Sequence, residues 1–396
     1  MASNGEILIY AEYLSNIRQI SVVVSLPTHP DALTKADVVQ DGRQLQVVHQ
    51  GNAESITLPA QVVAPPVLPI PTRGGQDLSW RLPVSPSEPR PSPFSLENQA
   101  LPWTSTDIKV GSPISCRKCD KEFVSKDTVN SWKDLPSENW AEMMEFWHCH
   151  KPHDHEQQDL ESLANKGYGA NNAISAQPGV GFVDLTSFLF TESDCSGLAY
   201  SSSTVDAGFD MSSLALDDSV SRKFLHVFCR GCKTEVGLFN ILASSVTLFK
   251  WQITCQTLAP SHNPGSSECL AATLIATISR SGSSKSILTP HILGSSSSEP
   301  GLSRKDVSLW VLNPNVVYAS SLVPGSKTAM KILYKDIDSE EGSKLIESMN
   351  SDVQEIALPQ VAIKTAREQL EASGLLLPAC ERAFKEWNVG LLGRWG

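Results

Sequence analysis

Two short cysteine pairs constrain this chain more than any other feature. Cys116-Arg117-Lys118-Cys119 and Cys229-Arg230-Gly231-Cys232 each put two thiols on one tight turn, close enough to share a metal ion. Two such turns supply a tetrahedral set of four thiolates, a donor set that suits zinc. The interval is long, with 109 residues between Cys119 and Cys229. Loop-closure entropy grows only logarithmically with length, so the interval does not forbid a shared site. It does require the metal to tie distant parts of one fold together. The spacing therefore predicts a structural zinc site built from Cys116, Cys119, Cys229 and Cys232. Two alternatives stay open: a pair of redox motifs, or four buried thiols. A redox C-x-x-C opens a helix after a strand. Here residues 224–228 form a strand-like run, and residues 233–237 continue it as a hairpin.

The chain has 396 residues, of which 41% are hydrophobic, enough for two or three structural units with a real core. Its formal charge of −11 argues against nucleic-acid binding through the whole surface, and no direct nucleic-acid partner is expected. Residues 7–10 are too short an apolar run for a signal peptide and carry no basic leader. No apolar run approaches the ~20 residues that span a bilayer, so no membrane association is expected. Nine cysteines, an odd number, without an export signal point to the reducing cytoplasm or nucleus, where paired cysteines favour metal over disulfide.

Strand-like runs dominate. Residues 17–24, 44–48, 55–58, 61–64 and 77–82 give an N-terminal β-rich region over 1–110, with Asp41-Gly42 as a turn signal. The stretch 83–93 holds five prolines among serines and reads as a loop. A zinc-linked central region follows over 111–256, with a helix over 137–150 and a Ser-rich insertion at 191–221. Residues 257–303 read as a Ser-rich variable or disordered segment. A C-terminal α/β region covers 304–396, with strands at 307–312 and 327–334. A helix is expected after Pro359, with Ala362, Ala366 and Leu370 on one face and Gly374 at its end. A second short helix is expected from Pro378, with Ala383, Phe384 and Trp387 as its apolar side. The fold class is α+β: mostly antiparallel β-sheet, a zinc-stapled central region and a helical C-terminus.

The helix over 137–150 carries Trp140, Met143, Met144 and Trp147 at i, i+3, i+4 and i+7, one apolar stripe of core character. It runs into Trp147-His148-Cys149-His150-Lys151-Pro152-His153-Asp154-His155. Four histidines and a cysteine there read as a solvated polar loop, a second metal site, a flank of the zinc centre, or a reactive thiol. Cys149, between two histidines, is the best nucleophile candidate, because neighbouring imidazolium lowers a thiol pKa. Its place at a helix C-terminus works against that, since the dipole there raises the pKa. Cys380 opens the expected last helix; Cys195, Cys255 and Cys269 read as structural or incidental. The sequence has no phosphate loop, dinucleotide fingerprint, G-x-S-x-G elbow or H-E-x-x-H.

Several segments, in order along the chain, resemble the HECT-like ubiquitin-conjugating-enzyme-binding family. They are Tyr10-Ala11-Glu12-Tyr13-Leu14 with Ile17-Arg18, Ser115-Cys116-Arg117-Lys118-Cys119, Leu135-Pro136-Ser137-Glu138-Asn139-Trp140 running into Trp147-His148-Cys149-His150, Cys229-Arg230-Gly231-Cys232 with Gly237, and 384–392. The resemblance implies an E3 ubiquitin-protein ligase that binds a ubiquitin-conjugating enzyme and ubiquitin and promotes transfer to protein lysines. A thioester on the chain's own cysteine is one route, and Cys149 is then its expected site, because it lies in the most specific stretch. The bilobal helical layout of HECT proper, with its catalytic cysteine in a C-terminal strand-loop, is not visible. The alternative is a non-catalytic adaptor or stabilising factor for a client complex, such as the machinery that cleaves and polyadenylates messenger RNA.

Overall fold

The computed structural model describes residues 6–71, 75–89, 99–135, 176–201, 224–290, 305–348 and 352–395. Of these residues 46% are strand and 17% helix, the expected fold class: mostly antiparallel sheet with a C-terminal helix. Two compact units emerge from the contacts. One comprises Met1–Gln99, Leu274–Pro290 and Ser303–Arg394; the other comprises Ala100–Thr273, His291–Leu302 and Trp395–Gly396.

The first unit is organised by a nine-stranded sheet. Its main path runs Ala383–Phe384, Trp387–Gly393, Val323–Asp338, Lys305–Ser320, Leu8–Leu14, Gln19–Ser25, Asp77–Pro83. Lys285–Pro290 pairs with the first half of Lys305–Ser320 and, in parallel, with Gln354–Leu358. The two-residue period of a strand explains how Leu8–Leu14 works. Ile9, Ala11 and Tyr13 face one core, with Ile20, Val22 and Val24. Tyr10 faces another, with Val316, Tyr318 and Leu333. The first of these cores is closed by a small antiparallel sheet, Lys35–Val39, Gln44–His49 and Asn52–Thr57, which contributes Leu45, Val47 and Ile56. On the same face as Tyr10, Glu12 accepts from the Tyr10 hydroxyl at 2.9 Å and from Lys331 Nζ at 2.8 Å, so a half-buried ion pair links Leu8–Leu14 to Val323–Asp338 across the intervening strand Lys305–Ser320.

The second unit holds a seven-stranded sheet. Its order is Leu198–Ser201, Phe224–Cys229, Glu235–Asn240, Ser245–Phe249, Ser187–Thr191, Val180–Val183, Ser131–Asp134, antiparallel except for the last pair. A three-stranded sheet, Ile253–Thr254, Ile114–Cys116 and Glu122–Val124, accompanies it. Phe123, Phe188, Phe190, Val227, Val236 and Leu248 are fully or almost fully buried in its core, and Cys116 and Cys229 belong to the same cluster.

The C-terminal helix is Gln360–Gly374, entered from Pro359. Ala362, Ala366 and Leu370 form its buried face, as their spacing predicts. Gly374 ends it, but as a packing contact: a Cβ there would lie 3.0 Å from the Val389 carbonyl. The helix crosses Trp387–Gly393 at Gly390, where a Cβ would meet Leu370 backbone at 2.9–3.1 Å.

The second short helix expected from Pro378 is not there. A single 3-10 turn, Ala379–Glu381, leads into a hairpin of Ala383–Phe384 and Trp387–Gly393. Lys385, at φ 53, starts its two-residue loop, the backbone that tight hairpins require. Burial settles the competition. As a strand, residues 387–393 bury Val389, Leu391 and Leu392 against Val323–Asp338, whereas a short isolated helix is marginal. Cys380 therefore gains no helix N-terminus.

Within the Ser-rich stretch, the chain forms a helix, Ser266–Ser281, and the strand Lys285–Pro290. The helix buries Cys269, Leu270, Ala271, Ala272, Leu274 and Ile275. Two of its hydroxyls fold back onto it: Thr273 and Ser281 donate to the carbonyls of Cys269 and Thr277, four residues back.

Candidate metal centre

Cys116 ends the strand Ile114–Cys116, and Cys229 ends the strand Phe224–Cys229. Each is followed by a turn and then a returning strand, Glu122–Val124 or Glu235–Asn240. No helix follows either pair, so the local structure is not that of a redox C-x-x-C.

The two turns are one device built twice. The amide of Cys116 donates to Lys121 O at 2.8 Å, and that of Cys229 to Thr234 O at 2.9 Å. The amide of Asp120 closes on Cys116 O, and that of Lys233 on Cys229 O, both at 2.9 Å. Asp120 and Lys233, at equivalent places, are left-handed, with φ 57 and 61. The arginine after each first cysteine clamps another segment. Arg117 donates its amide to Gln252 O and its Nε to Ile253 O. Arg230 donates its amide to Gly197 O and its Nε to Leu198 O. Arg117 also reaches the carbonyls of Lys250 and Pro264 at 2.8 and 2.9 Å. Arg117 thus pins the first knuckle to neighbouring backbone by five hydrogen bonds and Arg230 pins the second by two, the side-chain ones charge-assisted.

These turns bring all four sulfurs within 4.8 Å of one another. Cys116 Sγ lies 3.6 Å from Cys232 Sγ, and Cys119 Sγ lies 3.5 Å from Cys229 Sγ. A tetrahedral tetrathiolate with metal–sulfur bonds of about 2.3 Å has sulfur–sulfur edges of about 3.8 Å. A disulfide needs about 2.05 Å. The arrangement therefore fits a metal ion and fits no disulfide as it stands. Gly231 permits the close approach: a Cβ there would sit 3.2 Å from Cys119 Sγ and 3.6 Å from Cys229 Sγ. Residues 116–121 and 229–234 hold five basic side chains against one acid, the charge balance that four thiolates around a divalent cation call for.

Without a cation, the four thiols share their protons unevenly. Burial pushes Cys116 up to about 12 and raises Cys229. Burial also opposes ionisation of Cys232, but the Thr234 hydroxyl and amide and the Cys116 thiol outweigh it and bring Cys232 down to about 6. A metal entering here displaces the remaining protons.

Lys250 supports the same region. It is almost fully buried and donates from Nζ to Pro102 O at 2.6 Å and to Trp103 O at 2.9 Å. Its ammonium also lies over the Phe188 ring, 5.7 Å from the centroid. Burial lowers its pKa to about 8. Neither this lysine nor the arginine clamps are predicted by sequence reasoning. Each lies in an ordinary strand or turn, and only the fold supplies the carbonyls it meets.

The structure assembles the four predicted metal ligands. Cys149, the 148–155 histidines and the helix bearing Trp140 and Trp147 lie outside the described residues. The remaining described thiols stand apart from the centre. Burial pushes Cys195, Cys255 and Cys269 up to about 12. Burial and the Asp77 carboxylate push Cys380 up to about 11. None of these four is poised as a thiolate at neutral pH. No helix among the described residues is long and apolar enough to cross a membrane.

Comparison with known proteins then bears on what this centre supports. Residues 12–389 match the model of the family described as HECT-like ubiquitin-conjugating enzyme (E2)-binding. The uncharacterized protein YJR141W of Saccharomyces cerevisiae is 31% identical over 149 residues, 36% of this chain and 41% of that protein. The uncharacterized protein C1734.10c of Schizosaccharomyces pombe is 42% identical over 64 residues, 15% of this chain and 18% of that protein. The chain thus spans less than half the length of these curated relatives. No solved structure matches it.

Proposed function

Because this chain belongs to the HECT-like E2-binding family, we propose that it binds a ubiquitin-conjugating enzyme and promotes ubiquitin transfer to protein lysines as an E3 ligase. The observation that carries this reading is the family match over residues 12–389 of 396. We further propose that Cys116, Cys119, Cys229 and Cys232 hold one structural zinc ion. Zinc, when bound, supplies a four-way crosslink and neutralises the thiolates. It takes no part in transfer, since four protein ligands leave no open position. Free thiols of this kind suit the cytoplasm or nucleus.

Two routes lead from a charged conjugating enzyme to a lysine. In one, the chain only positions the thioester for attack by the acceptor amine. In the other, a thiolate of this chain first takes the ubiquitin, exchanging one thioester for another. The second route needs an accessible thiolate. Cys195, Cys255, Cys269 and Cys380 are held as protonated thiols, and the four knuckle cysteines serve the metal. Cys149 is therefore the residue proposed for that step.

A single-turnover discharge assay tests both levels. Conjugating enzyme charged with labelled ubiquitin is mixed with the chain and resolved without reductant. A reducible ubiquitin adduct that is lost in Cys149→Ser, with zinc content and circular dichroism unchanged, supports the thioester route. Faster discharge to lysine without an adduct supports the positioning route. An adduct that persists in Cys149→Ser removes that residue from the mechanism. Neither adduct nor acceleration across a panel of conjugating enzymes overturns the ligase reading and leaves an adaptor.

A further inference from the structure

The two short sulfur–sulfur contacts in the metal centre both run between knuckles, 116 to 232 and 119 to 229. The four thiols also differ in access. Cys119 is exposed, Cys232 is half-buried, and Cys116 and Cys229 are buried. Gly231 lies against Cys119 and has no side chain to cover it. An oxidant arriving from solvent therefore meets Cys119 first. A sulfur placed to resolve the product is Cys229, 3.5 Å away and shielded from the same oxidant.

We propose that the Cys119–Cys229 pair is a site of peroxide oxidation, at which a cross-knuckle disulfide replaces the metal as the staple. This rests on the metal reading above and goes beyond it. The chemistry balances with a hydroperoxide as the oxidant. The Cys119 thiolate attacks a peroxide oxygen; a sulfur–oxygen bond forms, the oxygen–oxygen bond breaks and hydroxide leaves. The Cys229 thiolate then attacks the Cys119 sulfur; the disulfide forms, the sulfur–oxygen bond breaks and a second hydroxide leaves. Two electrons pass from the two thiolates to one peroxide, and two protons from solvent convert the hydroxides to water. The metal loses two of four ligands and dissociates.

The geometry gives this event an unusual consequence. A disulfide within one C-x-x-C would free the two knuckles from each other. A Cys119–Cys229 bond keeps them joined at the point where the metal held them. Oxidation should then release metal while the fold persists, whereas chelation removes metal and staple together.

The test treats the full zinc-loaded chain with hydrogen peroxide and follows three readouts: zinc released to a chromogenic chelator, near-UV circular dichroism, and peptide mapping of disulfides. The expected result is one zinc released per peroxide consumed, a single linked pair Cys119–Cys229, and tertiary circular dichroism retained until a thiol reductant is added with chelator present. A dione trap for sulfenic acid should label Cys119. A Cys116–Cys119 or Cys229–Cys232 link, a first label on Cys232, or loss of tertiary signal in step with zinc release would each overturn the proposal. Metal content is measured before peroxide is added. Its absence would refute the zinc reading, and the disulfide map on the same sample would still decide the oxidation site.

Discussion

Removing the metal should loosen the second unit selectively, by an amount the chain itself sets. The perturbation is a zinc chelator, or Cys232→Ser as the genetic equivalent. The crosslink closes a loop between Cys119 and Cys229, 110 positions apart. By the chain-entropy model, a staple over a loop of that size is worth about 5 kcal/mol. That is comparable with the whole stability of a domain, about 5–15 kcal/mol. The loss falls on a core that contains the ligands themselves, since Cys116 and Cys229 pack with Phe123, Val227, Val236 and Ile253. The tryptophans allow a local assay. Trp103 is buried and stacks on Phe188, with Trp132 on the same ring; both belong to the second unit. Urea unfolding followed by fluorescence, with Trp80, Trp310 and Trp387 of the first unit replaced by Phe, reads that unit. Chelation should lower its unfolding free energy by about 5 kcal/mol, with zinc restoring it. A shift below about 1 kcal/mol in a sample shown to have lost metal would refute the reasoning that the centre is a staple.

Lys250 should give a pH signature. Its folded pKa of about 8 lies below its unfolded 10.5, so above pH 8 the unfolded chain binds the proton that the folded chain has lost. Its contribution to stability therefore rises with pH between 8 and 10.5 and is lost as pH falls through 8, about 3 kcal/mol across the window. The stability difference between wild type and Lys250→Met, measured by denaturant titration at pH 7.5 and 9.5, should grow by about 2 kcal/mol; no change would place the titration elsewhere. Gly237→Ala would set a Cβ 1.9 Å from the Thr247 carbonyl oxygen, forcing two strands apart at a cost of about 3 kcal/mol, read in the same melts. Glu12→Ala strands Lys331 and the Tyr10 hydroxyl. It should cost about 3 kcal/mol, and adding Lys331→Met should recover part of that loss.

The four-cysteine cluster was legible in the sequence because each pair is local: a C-x-x-C turn needs only its own four residues and the strands beside it. Several strands of the first unit were legible for a similar reason, since residues 17–24 form a β-branched run and residues 44–48 alternate in polarity. What the sequence hid was decided by partners far along the chain. Ala383, Phe384 and Trp387, after Pro378, are spaced to suit a short helix as well as a hairpin, and only the pairing of Trp387–Gly393 with Val323–Asp338 resolves the choice. Ser266–Ser281 hides a helix because its serines and threonines look like linker chemistry. Only burial of Leu270, Leu274 and their neighbours shows that the hydroxyls fold back onto the helix. Arg117, Arg230 and Lys250 act on backbone carbonyls, which carry no signal of residue type. Their roles could be suspected only from the arginine that follows the first cysteine in both knuckles.

The most direct test of the account is a binding measurement. The full zinc-loaded chain is titrated against a panel of ubiquitin-conjugating enzymes, free and charged with ubiquitin on a stable linkage, by calorimetry or surface resonance. The account predicts saturable one-to-one binding to at least one conjugating enzyme, weakened when chelation removes the metal. A folded, metal-loaded chain that binds no member of the panel in either state would contradict it.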